Sequence, residues 1–384
     1  MQHEIKRMTT MIARDIEDRI KALQGKGKAI VIIGARQVGK STILHHLYDG
    51  KQGVLWLNGD EQDTVNLLEN TSSTRLNAII GRSKTVIIDE AQKIPDIGRK
   101  LKLITDNITG VQLIATGSSS FELSNKLNEP LTGRKRELKM HPLTFAEMVR
   151  HTNLLEEKRM IPHRLLYGYY PEVVTSKGDE RTVLKELSES YLYRDILAIE
   201  GINKPDKLQK LLQALAMQIG EQVSYREIGL LVGLDSKTVE KYIDLLEKSL
   251  VIFRLGSFAR NLRNELKQSR KVYFWDLGIR NAVIGNFANI ESRLDIGGMW
   301  ENFVIAERMK KKLSENSFCQ HYFWRTQQQK EIDLIEEEDG AIRAYEFKWN
   351  PKKACINAPQ QFSTSYPDAA FYVITRDNVE DIIL

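Results

Sequence analysis

Short apolar segments rich in β-branched residues recur through the first 141 residues, and stretches with helical spacing separate them. Strands that alternate with helices predict an α/β fold in which helices cover both faces of a parallel sheet. A sheet of this kind binds ligands beyond the carboxyl ends of its strands. The predicted strands are Lys28–Ile33, Gly53–Asn58, Thr85–Asp89, Val111–Thr116 and Lys135–His141.

Helical spacing dominates residues 145–201, which predicts a helical lid or connector. One apolar stripe in this stretch comprises Leu184, Leu187, Tyr191 and Ile196. A new helix and a domain boundary are predicted after Asn203, because asparagine is a favoured N-cap and Pro205 suits the first helical turn.

Residues 207–255 predict three helices followed by a strand, the layout of a helix-turn-helix. Ser224 and Glu227 have the spacing of a capping box at the start of the second helix, and Gly233 ends that helix. Asp235 is placed to cap the third helix, residues 236–248. As a recognition helix it would direct outward Ser236, Lys237, Thr238 and Lys241, and toward the core Val239, Ile243 and Leu246.

A helix around Trp300–Lys312 and the strand-like runs after it predict a small C-terminal α/β domain. Those runs are His321–Trp324, Glu331–Ile335, Ala341–Lys348 and Phe371–Ile374. The predicted domains are therefore a sheet core at 1–150, a helical connector at 151–204, a helix-turn-helix region at 205–280 and the C-terminal domain at 281–384.

Composition supports a folded protein of two or three domains, since the chain has 384 residues, of which 42% are hydrophobic and 28% charged. The net charge of +5 permits a nucleic-acid partner without requiring one. With only two cysteines, neither a disulfide framework nor a four-cysteine zinc site is available. No signal peptide or membrane-spanning run is apparent, so we expect a soluble cytoplasmic protein.

The string GARQVGKS has the GxxxxGK[ST] pattern of a phosphate-binding loop, in which glycines let main-chain N–H groups surround the phosphates of a nucleotide. Lys40 is expected to reach the β- and γ-phosphates, and the Ser41 hydroxyl to bind Mg²⁺. The helix that follows directs its positive N-terminus at the ligand. The predicted nucleotide-binding residues are Gly34, Ala35, Arg36, Gln37, Val38, Gly39, Lys40, Ser41 and Thr42.

A second nucleotide motif ends the strand Thr85–Asp89. Asp89 is expected to hold Mg²⁺ directly or through water, and Glu90 to polarise the attacking water. The alternative is that both acids only cap a helix. The string Asn203–Asp206 matches a guanine-reading pattern, but no Asp-x-x-Gly follows the strand, and Pro205 explains the string as a helix start. We therefore expect ATP rather than GTP as the nucleotide.

Two further positions stay open from the residues alone. The strand Val111–Thr116 leads into small hydroxyl residues, where a polar side chain could sense the γ-phosphate or simply form a turn. The guanidinium of Arg134 could neutralise transition-state charge in the same or a neighbouring subunit, or be a solvated surface group.

A basic stretch between Phe253 and Tyr273 predicts a wing that contacts nucleic-acid phosphates. The alternative is a protein-docking module with a solvated basic loop. The cations are Arg254, Arg260, Arg263, Lys267, Arg270 and Lys271, and the single acid is Glu265.

Asp339-Gly340 is a strong hairpin signal between two strand-like runs. Counting outward from this turn places Asp333 opposite Glu346, with Lys348 on the same face and apolar residues on the other. Two carboxylates that share a divalent cation, with a lysine that orients water, suit phosphodiester hydrolysis. The alternative is a solvent-facing strand pair in which Glu331 neutralises Lys348.

With these residues in view, the sequence resembles, nearly end to end, bacterial and archaeal AAA+-superfamily ATPases that join a P-loop core to a winged helix and a restriction-endonuclease-like domain. The resemblance implies the sheet order 5-1-4-3-2, Ser118 as polar sensor and Arg134 as arginine trigger. It also implies a nuclease-like tetrad of Glu301, Asp333, Glu346 and Lys348, although the family's usual proline before the first aspartate is absent. The landmarks are Gly34–Thr42, Thr85–Glu90, Gly117–Ser119, Leu131–Arg134 and Tyr273–Gly278.

These observations predict an ATPase switch or motor that uses ATP and Mg²⁺, binds DNA through the winged helix and cuts it through the C-terminal domain, with Asp333 and Glu346 holding the metal. A homo-oligomer is compatible with the trigger in a neighbouring subunit. The alternative function is a nucleotide-dependent regulatory or signalling scaffold whose nuclease-like domain is a non-catalytic binding module.

Overall fold

A computed structural model describes residues 11–117, 131–189, 204–258, 270–353 and 357–384. The chain divides into two compact units, one formed by residues 13–142 with 248–250 and the other mainly by residues 143–247 and 251–384. The first unit therefore ends before the predicted boundary at residue 150. The reason is that the backbone N–H of Phe145 donates to Glu307 Oε2 at 2.7 Å, which ties the following helix to the second unit.

Five strands among the described residues form the sheet of the first unit, and all its pairs are parallel. Their order is β2-β3-β4-β1-β5, which confirms the predicted order. All six residues of β1 are buried, as expected for a central strand covered on both faces. The strands are β1 (Ala29–Gly34), β2 (Val54–Asn58), β3 (Thr85–Asp89), β4 (Gln112–Gly117) and β5 (Lys135–Met140).

Helices cover this sheet, and their apolar residues complete one core with those of the strands. The first helix packs on β5, the second on β1 and the fifth on β4. The helices are α1 (Ile16–Leu23), α2 (Lys40–Tyr48), α3 (Gln62–Leu68), α4 (Ser73–Ile80) and α5 (Ile97–Asn107).

Helices also form most of residues 143–283 in the second unit. They are α6 (Phe145–His151), α7 (Leu154–Tyr167), α8 (Pro171–Thr175), α9 (Glu180–Leu187), α10 (Pro205–Met217), α11 (Tyr225–Val232), α12 (Ser236–Lys248) and α13 (Leu277–Val283). The predicted cap Asn203 and part of the predicted apolar stripe lie outside the described residues.

The predicted caps of α11 and α12 are confirmed, with one of the two bonds of the predicted capping box present. The Ser224 hydroxyl accepts from the N–H of Glu227, and Gly233 ends α11 with φ of 70°. The Thr238 N–H donates to Asp235 Oδ1 at 3.0 Å at the start of α12. The core face of α12 is also as expected, because Val239, Ile243 and Leu246 are fully buried.

One seven-stranded sheet joins the regions that the sequence placed in separate domains at residue 280. Its order is β12-β11-β10-β9-β7-β8-β6. The strands are β6 (Gln222–Val223), β7 (Ile252–Ser257), β8 (Arg270–Phe274), β9 (Gln320–Arg325), β10 (Glu331–Glu338), β11 (Ala341–Lys348) and β12 (Ala370–Thr375). The separation fails because β7 pairs with β9, opposite Tyr322 and Phe323, and so satisfies an otherwise unpaired sheet edge.

Three helices complete the second unit: α14 (Ile296–Ser314), α15 (Gln360–Ser365) and α16 (Glu380–Ile383). The landmark Tyr273–Gly278 connects β8 to α13 and has a structural role. Asp276 accepts from the N–H of Tyr169 at 2.6 Å and from the N–H of Ile279 at 3.0 Å. A Cβ at Gly278 would overlap the carbonyl oxygen of Tyr167, so only glycine fits there. Among the described residues, no helix has the length and apolar character needed to cross a bilayer.

Candidate functional site

The predicted phosphate loop connects the end of β1 to the first residue of α2. Gly39 is the N-cap of α2 with φ of 98°, a conformation that glycine adopts without strain. A Cβ at Gly34 would lie 2.5 Å from the Met140 carbonyl oxygen, so this position also excludes larger residues. The two glycines of the motif are therefore required by the backbone path itself.

Lys40 lies inside the curve of this loop. Its side chain is buried, with 5% of the residue exposed. The ammonium donates to the carbonyl oxygens of Gly34 at 3.0 Å and Ala35 at 2.8 Å. These bonds place a positive charge beside the N-terminus of α2, where the helix dipole also favours an anion.

A cleft of about 310 Å³ opens in front of the loop. It brings the loop together with Glu90, the predicted catalytic acid. Asp60 and Lys93 also line it and contact each other as an ion pair, which the sequence analysis did not anticipate. The lining residues are Arg36, Gln37, Gly39, Lys40, Ser41, Thr42, Asp60, Glu90 and Lys93.

Asp89, the last residue of β3, and Glu90 directly after it lie at the same edge of the sheet as the loop. The buried Thr116 at the end of β4 donates its hydroxyl proton to Asp89 Oδ1 and accepts from the N–H of Glu90 at 3.1 Å. Gln92 donates to Glu90 Oε2 at 2.6 Å. Thr116 and Gln92 therefore orient the two acids.

The sequence pointed to hydroxyl residues at the end of the strand that begins at Val111. Of these, Thr116 contacts Asp89 and Glu90. Its signal in the sequence was a threonine at the carboxyl end of the strand next to the acidic one. Ser118, the predicted sensor, lies outside the described residues.

Arg134 lies at the opposite edge of the sheet from the loop. It precedes β5, its carbonyl oxygen accepts from the N–H of Ala29 at the start of β1, and Gly34 at the end of β1 is opposite Met140. Five residue steps of strand separate the edges, roughly 17 Å. Arg134 Nε donates to Asp106 at 2.5 Å. At this distance Arg134 cannot act on a nucleotide in the phosphate loop of its own chain. Its role in the site of a neighbouring subunit stays a prediction.

Arg14 holds the loop from outside, a contact for which the sequence carried no signal. Its guanidinium donates to the carbonyl oxygen of Val38 in the loop and to that of His141 after β5, both at 2.7 Å. The orientation of the Val38 peptide is therefore linked to the end of β5.

Mg²⁺ fits the donors at this site. Ser41 supplies a hydroxyl oxygen, and Asp89 and Glu90 supply carboxylate oxygens at the edge of the sheet that carries the loop. Oxygen ligands of this kind are those that Mg²⁺ prefers.

The predicted basic wing is only partly described, and two of its cations have intramolecular partners. Arg254 donates to Glu247 at 2.9 Å and pairs with Asp244 at 2.7 Å. Lys271 is buried among acidic side chains. Neither side chain is therefore exposed for phosphate contacts, which leaves the predicted wing with fewer available cations. The residues that lie outside the described part are Arg260, Arg263, Glu265 and Lys267.

The hairpin of β10 and β11 has the predicted register, since Glu338 pairs with Ala341 and Leu334 with Tyr345. The predicted alternation of a polar and an apolar face is wrong, however, because Ile332 to Glu336 are all buried. The pairing of β10 with β9 is irregular between Ile332 and Ile335, and such a bulge redirects side chains. Asp333 is thereby turned inward, with 7% of the residue exposed.

The solvent-facing alternative for this hairpin also disagrees with the contacts. Phe347 donates its N–H to Asp333 Oδ2 at 2.7 Å. Lys348 donates to Glu346 at 2.5 Å, whereas Glu331 contacts Lys271 and Arg325.

Glu301 of α14 joins Asp333 as the resemblance implied, but two residues that the sequence analysis did not assign to the site stand beside them. Carboxylate oxygens of Glu301, Glu331 and Asp333 lie within 4.8 Å of one another. Lys271 Nζ donates to Glu301 Oε1 at 2.8 Å and contacts Glu331. We call these three acids and Lys271 the carboxylate cluster.

The electrostatics of the carboxylate cluster follow from burial and charge. Burial and the nearby negative charges of Glu301 and Glu346 raise the pKa of Asp333 well above its usual value. Burial by itself would lower the pKa of Lys271, but the charges of Glu301, Asp333 and Glu331 more than offset it, so that pKa is raised. Lys271 is therefore an ammonium at neutral pH.

A divalent cation does not fit the carboxylate cluster as it stands. Glu301 accepts from Lys271 and from the Tyr273 hydroxyl at 2.6 Å, and Asp333 accepts from a backbone N–H. The carboxylate oxygens that would bind the metal already accept hydrogen bonds from N–H and O–H groups of the protein.

Comparison with known sequences identifies three regions. Residues 26–149 match the family model of an AAA domain, and residues 158–290 and 296–382 match those of two domains of unknown function, DUF8612 and DUF4143. Similar proteins include an uncharacterized protein of Mycobacterium tuberculosis, 27% identical over 362 residues, which covers 90% of this chain and 77% of that protein. Another is an uncharacterized protein of Methanocaldococcus jannaschii, 23% identical over 417 residues, which covers 99% and 90%.

Solved structures that match this chain include a Walker-type ATPase of Pyrococcus abyssi, with a TM-score of 0.49 and 16% identity, over 71% of this chain and 96% of that one. A STAND protein with a tetratricopeptide repeat sensor from Pyrococcus horikoshii has a TM-score of 0.31 and 13% identity, over 80% of this chain and 48% of that one. Together, the AAA match over 26–149, the parallel sheet and the loop geometry give the first unit an AAA-type, P-loop ATPase-like fold.

Proposed function

We propose that this chain binds ATP with Mg²⁺ and hydrolyses it. The observation that carries the proposal is the buried Lys40 ammonium inside a glycine loop, with Glu90 lining the same cleft. ATP is preferred to GTP because the guanine-reading pattern at residues 203–206 is explained by the start of α10 at Pro205.

Each residue of the nucleotide site has its own proposed role. Main-chain N–H groups of residues 34–41 and the Lys40 ammonium bind the phosphates. Ser41 and Asp89 hold Mg²⁺, which neutralises charge on the phosphates when it is bound. Glu90 accepts a proton from the attacking water, and Gln92 holds its carboxylate in place.

Two further roles are proposed by resemblance. Ser118 would sense the γ-phosphate, and Arg134 would act on a nucleotide in a neighbouring copy of the chain. The second role is supported by the distance between Arg134 and its own loop, and it requires a homo-oligomer during turnover.

Purified protein tests the ATPase through nucleotide binding and phosphate release. Lys40→Ala should abolish tight ATP binding, whereas Glu90→Gln should retain binding and slow hydrolysis by at least a hundredfold. Failure of the wild-type chain to bind any nucleotide, or normal turnover by Glu90→Gln, would refute the assignment.

DNA is the proposed macromolecular partner of the second unit. The observation in favour is the helix-turn-helix layout of α11 and α12, with Lys237 and Lys241 on the solvent side of α12. The competing proposal is a regulatory scaffold that docks a protein on this region. Binding of a DNA duplex that weakens as salt rises favours the first proposal, and DNA binding that ignores ionic strength would contradict phosphate contacts by the basic residues.

Nuclease activity remains a prediction of the sequence. In its favour, Glu301 and Asp333 converge, and Glu346 and Lys348 follow on the neighbouring strand. Incubation of plasmid with Mg²⁺ or Mn²⁺ and either the wild-type chain or Asp333→Ala tests it. Cleavage by the wild type alone would support the nuclease, and equal cleavage by both would remove Asp333 from it.

A further inference from the structure

Lys271 places a positive charge among acidic side chains that all come from other elements of the second unit. It lies on β8, whereas Glu301 comes from α14 and Glu331 and Asp333 come from β10. Only 1% of Lys271 is exposed. Its ammonium lies 2.8 Å from Glu301 and contacts Glu331, so the acids enclose it.

The position of this ammonium is the one that a divalent cation would need. Three carboxylates with oxygens within 4.8 Å of one another match the separations across the ligand shell of a cation bound at roughly 2.0–2.6 Å. An ammonium and a metal ion cannot both occupy the space between them, because their charges repel and they require the same oxygens.

The charge balance also favours the lysine. Glu346 adds a fourth carboxylate nearby, and the cations beside the group are Lys271, Arg325 and Lys348. Burial and the charges of Glu301 and Glu346 raise the pKa of Asp333 and so favour its protonated form. With Asp333 protonated, three carboxylates face three cations, so a divalent cation would add uncompensated positive charge while Lys271 is present.

Lys271 is also held firmly in place. Its strand is paired on both sides, with Gln222 of β6 and with Leu255 of β7 opposite Lys271 itself. The side chain passes the ring of Phe323, whose centroid lies 5.6 Å from Nζ. Withdrawal of the ammonium would leave buried carboxylates without a counter-ion, which is costly.

We propose that Lys271 is a built-in counter-ion that occupies the cation position of the carboxylate cluster and excludes divalent metal from it. The cluster then joins β8 to the C-terminal domain as an ion pair and does not act as a metal centre. The inference is independent of ATP hydrolysis. It predicts that the nuclease-like residues of the wild-type chain do not bind a divalent metal ion.

Mn²⁺ titration of the full chain, followed by calorimetry or electron paramagnetic resonance without nucleotide, tests the proposal. Lys271→Met keeps an unbranched side chain as far as Cε and removes the charged Nζ, so it should bind one Mn²⁺ at least tenfold more tightly than the wild type. Adding Asp333→Asn to it should abolish the gain. Metal held at Asp89 is common to all these proteins and does not affect the difference.

Lys312→Met is the matched control, because Lys312 pairs with Glu338 at 3.0 Å in the same domain but outside the cluster. It should bind Mn²⁺ like the wild type. Lys271→Gln serves as a second variant if Lys271→Met folds poorly, and Mn²⁺ should raise the melting temperature of either Lys271 variant but not that of Lys312→Met. Absence of any gain in both Lys271 variants, or wild-type Mn²⁺ binding that Asp333→Asn removes, would overturn the proposal.

Discussion

The hydroxyl of Thr116 donates to the carboxylate of Asp89, and the same oxygen accepts from the N–H of Glu90. One buried side chain at the end of β4 therefore fixes both acids that follow β3. The relationship makes Thr116 a positioning residue for the proposed hydrolysis, since it touches the acids and not the reacting atoms.

Thr116→Val should lower ATP turnover about thirtyfold, because it removes both hydrogen bonds at nearly constant volume and each contributes about 1 kcal/mol. ATP affinity should change less, because the phosphates are bound by the loop. Phosphate release and nucleotide titration measure the two effects. Thr116→Ser should restore turnover.

Thr105→Val is a suitable comparison for that variant, since the Thr105 hydroxyl bonds only the Leu101 carbonyl oxygen within α5 at 2.8 Å. It should turn over ATP like the wild type. If Thr116→Val were equally active, the hydroxyl would not position the acids.

Arg14→Ala should weaken ATP binding several-fold, because it releases the carbonyl oxygen of Val38 and lets the adjoining peptide reorient within the loop. Titration with a fluorescent ATP analogue measures the affinity. Lys21→Ala on the exposed side of α1 should have no effect. Equal affinities of all three proteins would show that the loop holds its shape without Arg14.

DNA affinity should fall as salt rises, and Lys237→Ala should reduce the slope of log K against log salt by about one, the release of roughly one counterion. Gel shifts at several salt concentrations give the slope. Lys185→Ala, on an exposed position of α9, should leave it unchanged. An unaltered slope in Lys237→Ala would place the nucleic-acid contact elsewhere.

Glu336 makes stability depend on pH. Arg308 donates to both of its oxygens, at 2.7 and 2.9 Å, inside the second unit. Burial opposes ionisation of Glu336, but the bonds from Arg308 and the nearby His321, whose Nε2 lies 3.6 Å from Glu336 Oε1, outweigh it and lower the pKa of Glu336 from 4.5 to about 2. A carboxyl with a lowered pKa stabilises the fold above its unfolded pKa, and this contribution is lost as the pH falls from about 4.5 toward 2.

Glu336→Gln should therefore have a lower free energy of unfolding than the wild type at pH 7. The difference between the two free energies should become smaller below pH 4.5. Urea unfolding at several pH values between 7 and 3 measures it. Glu315→Gln, whose carboxylate is half exposed at the end of α14, should show a much smaller difference at pH 7. If the free energies of unfolding of Glu336→Gln and the wild type differed by the same amount at every pH, ionised Glu336 would not have this role.

Several features of this protein were predictable from residues that are close in sequence. The loop from Gly34 to Ser41, the acids after β3 and the caps of α11 and α12 depend on short-range geometry, which a motif specifies by itself. The strands of the first unit were found to within one residue, and for β1 and β3 the reason is that buried parallel strands are continuous apolar runs. The hairpin register at Asp339 also followed from a local turn.

The tertiary structure decided which distant side chains meet. Thr116 reaches Asp89 across 27 residues, Arg14 reaches Val38 across 24, and Lys271 reaches Glu301 across 30. The pairings of Arg14 and Lys271 have no sequence signal, because each depends on which strands become neighbours and on how a bulge or loop turns one side chain. Thr116 was marked only by its place at the carboxyl end of the strand next to the acidic one. Sequence alone therefore predicted the sheet order and the phosphate-loop motif of the first unit, whereas the contacts between strands determined that Lys271 lies among the acids of the carboxylate cluster.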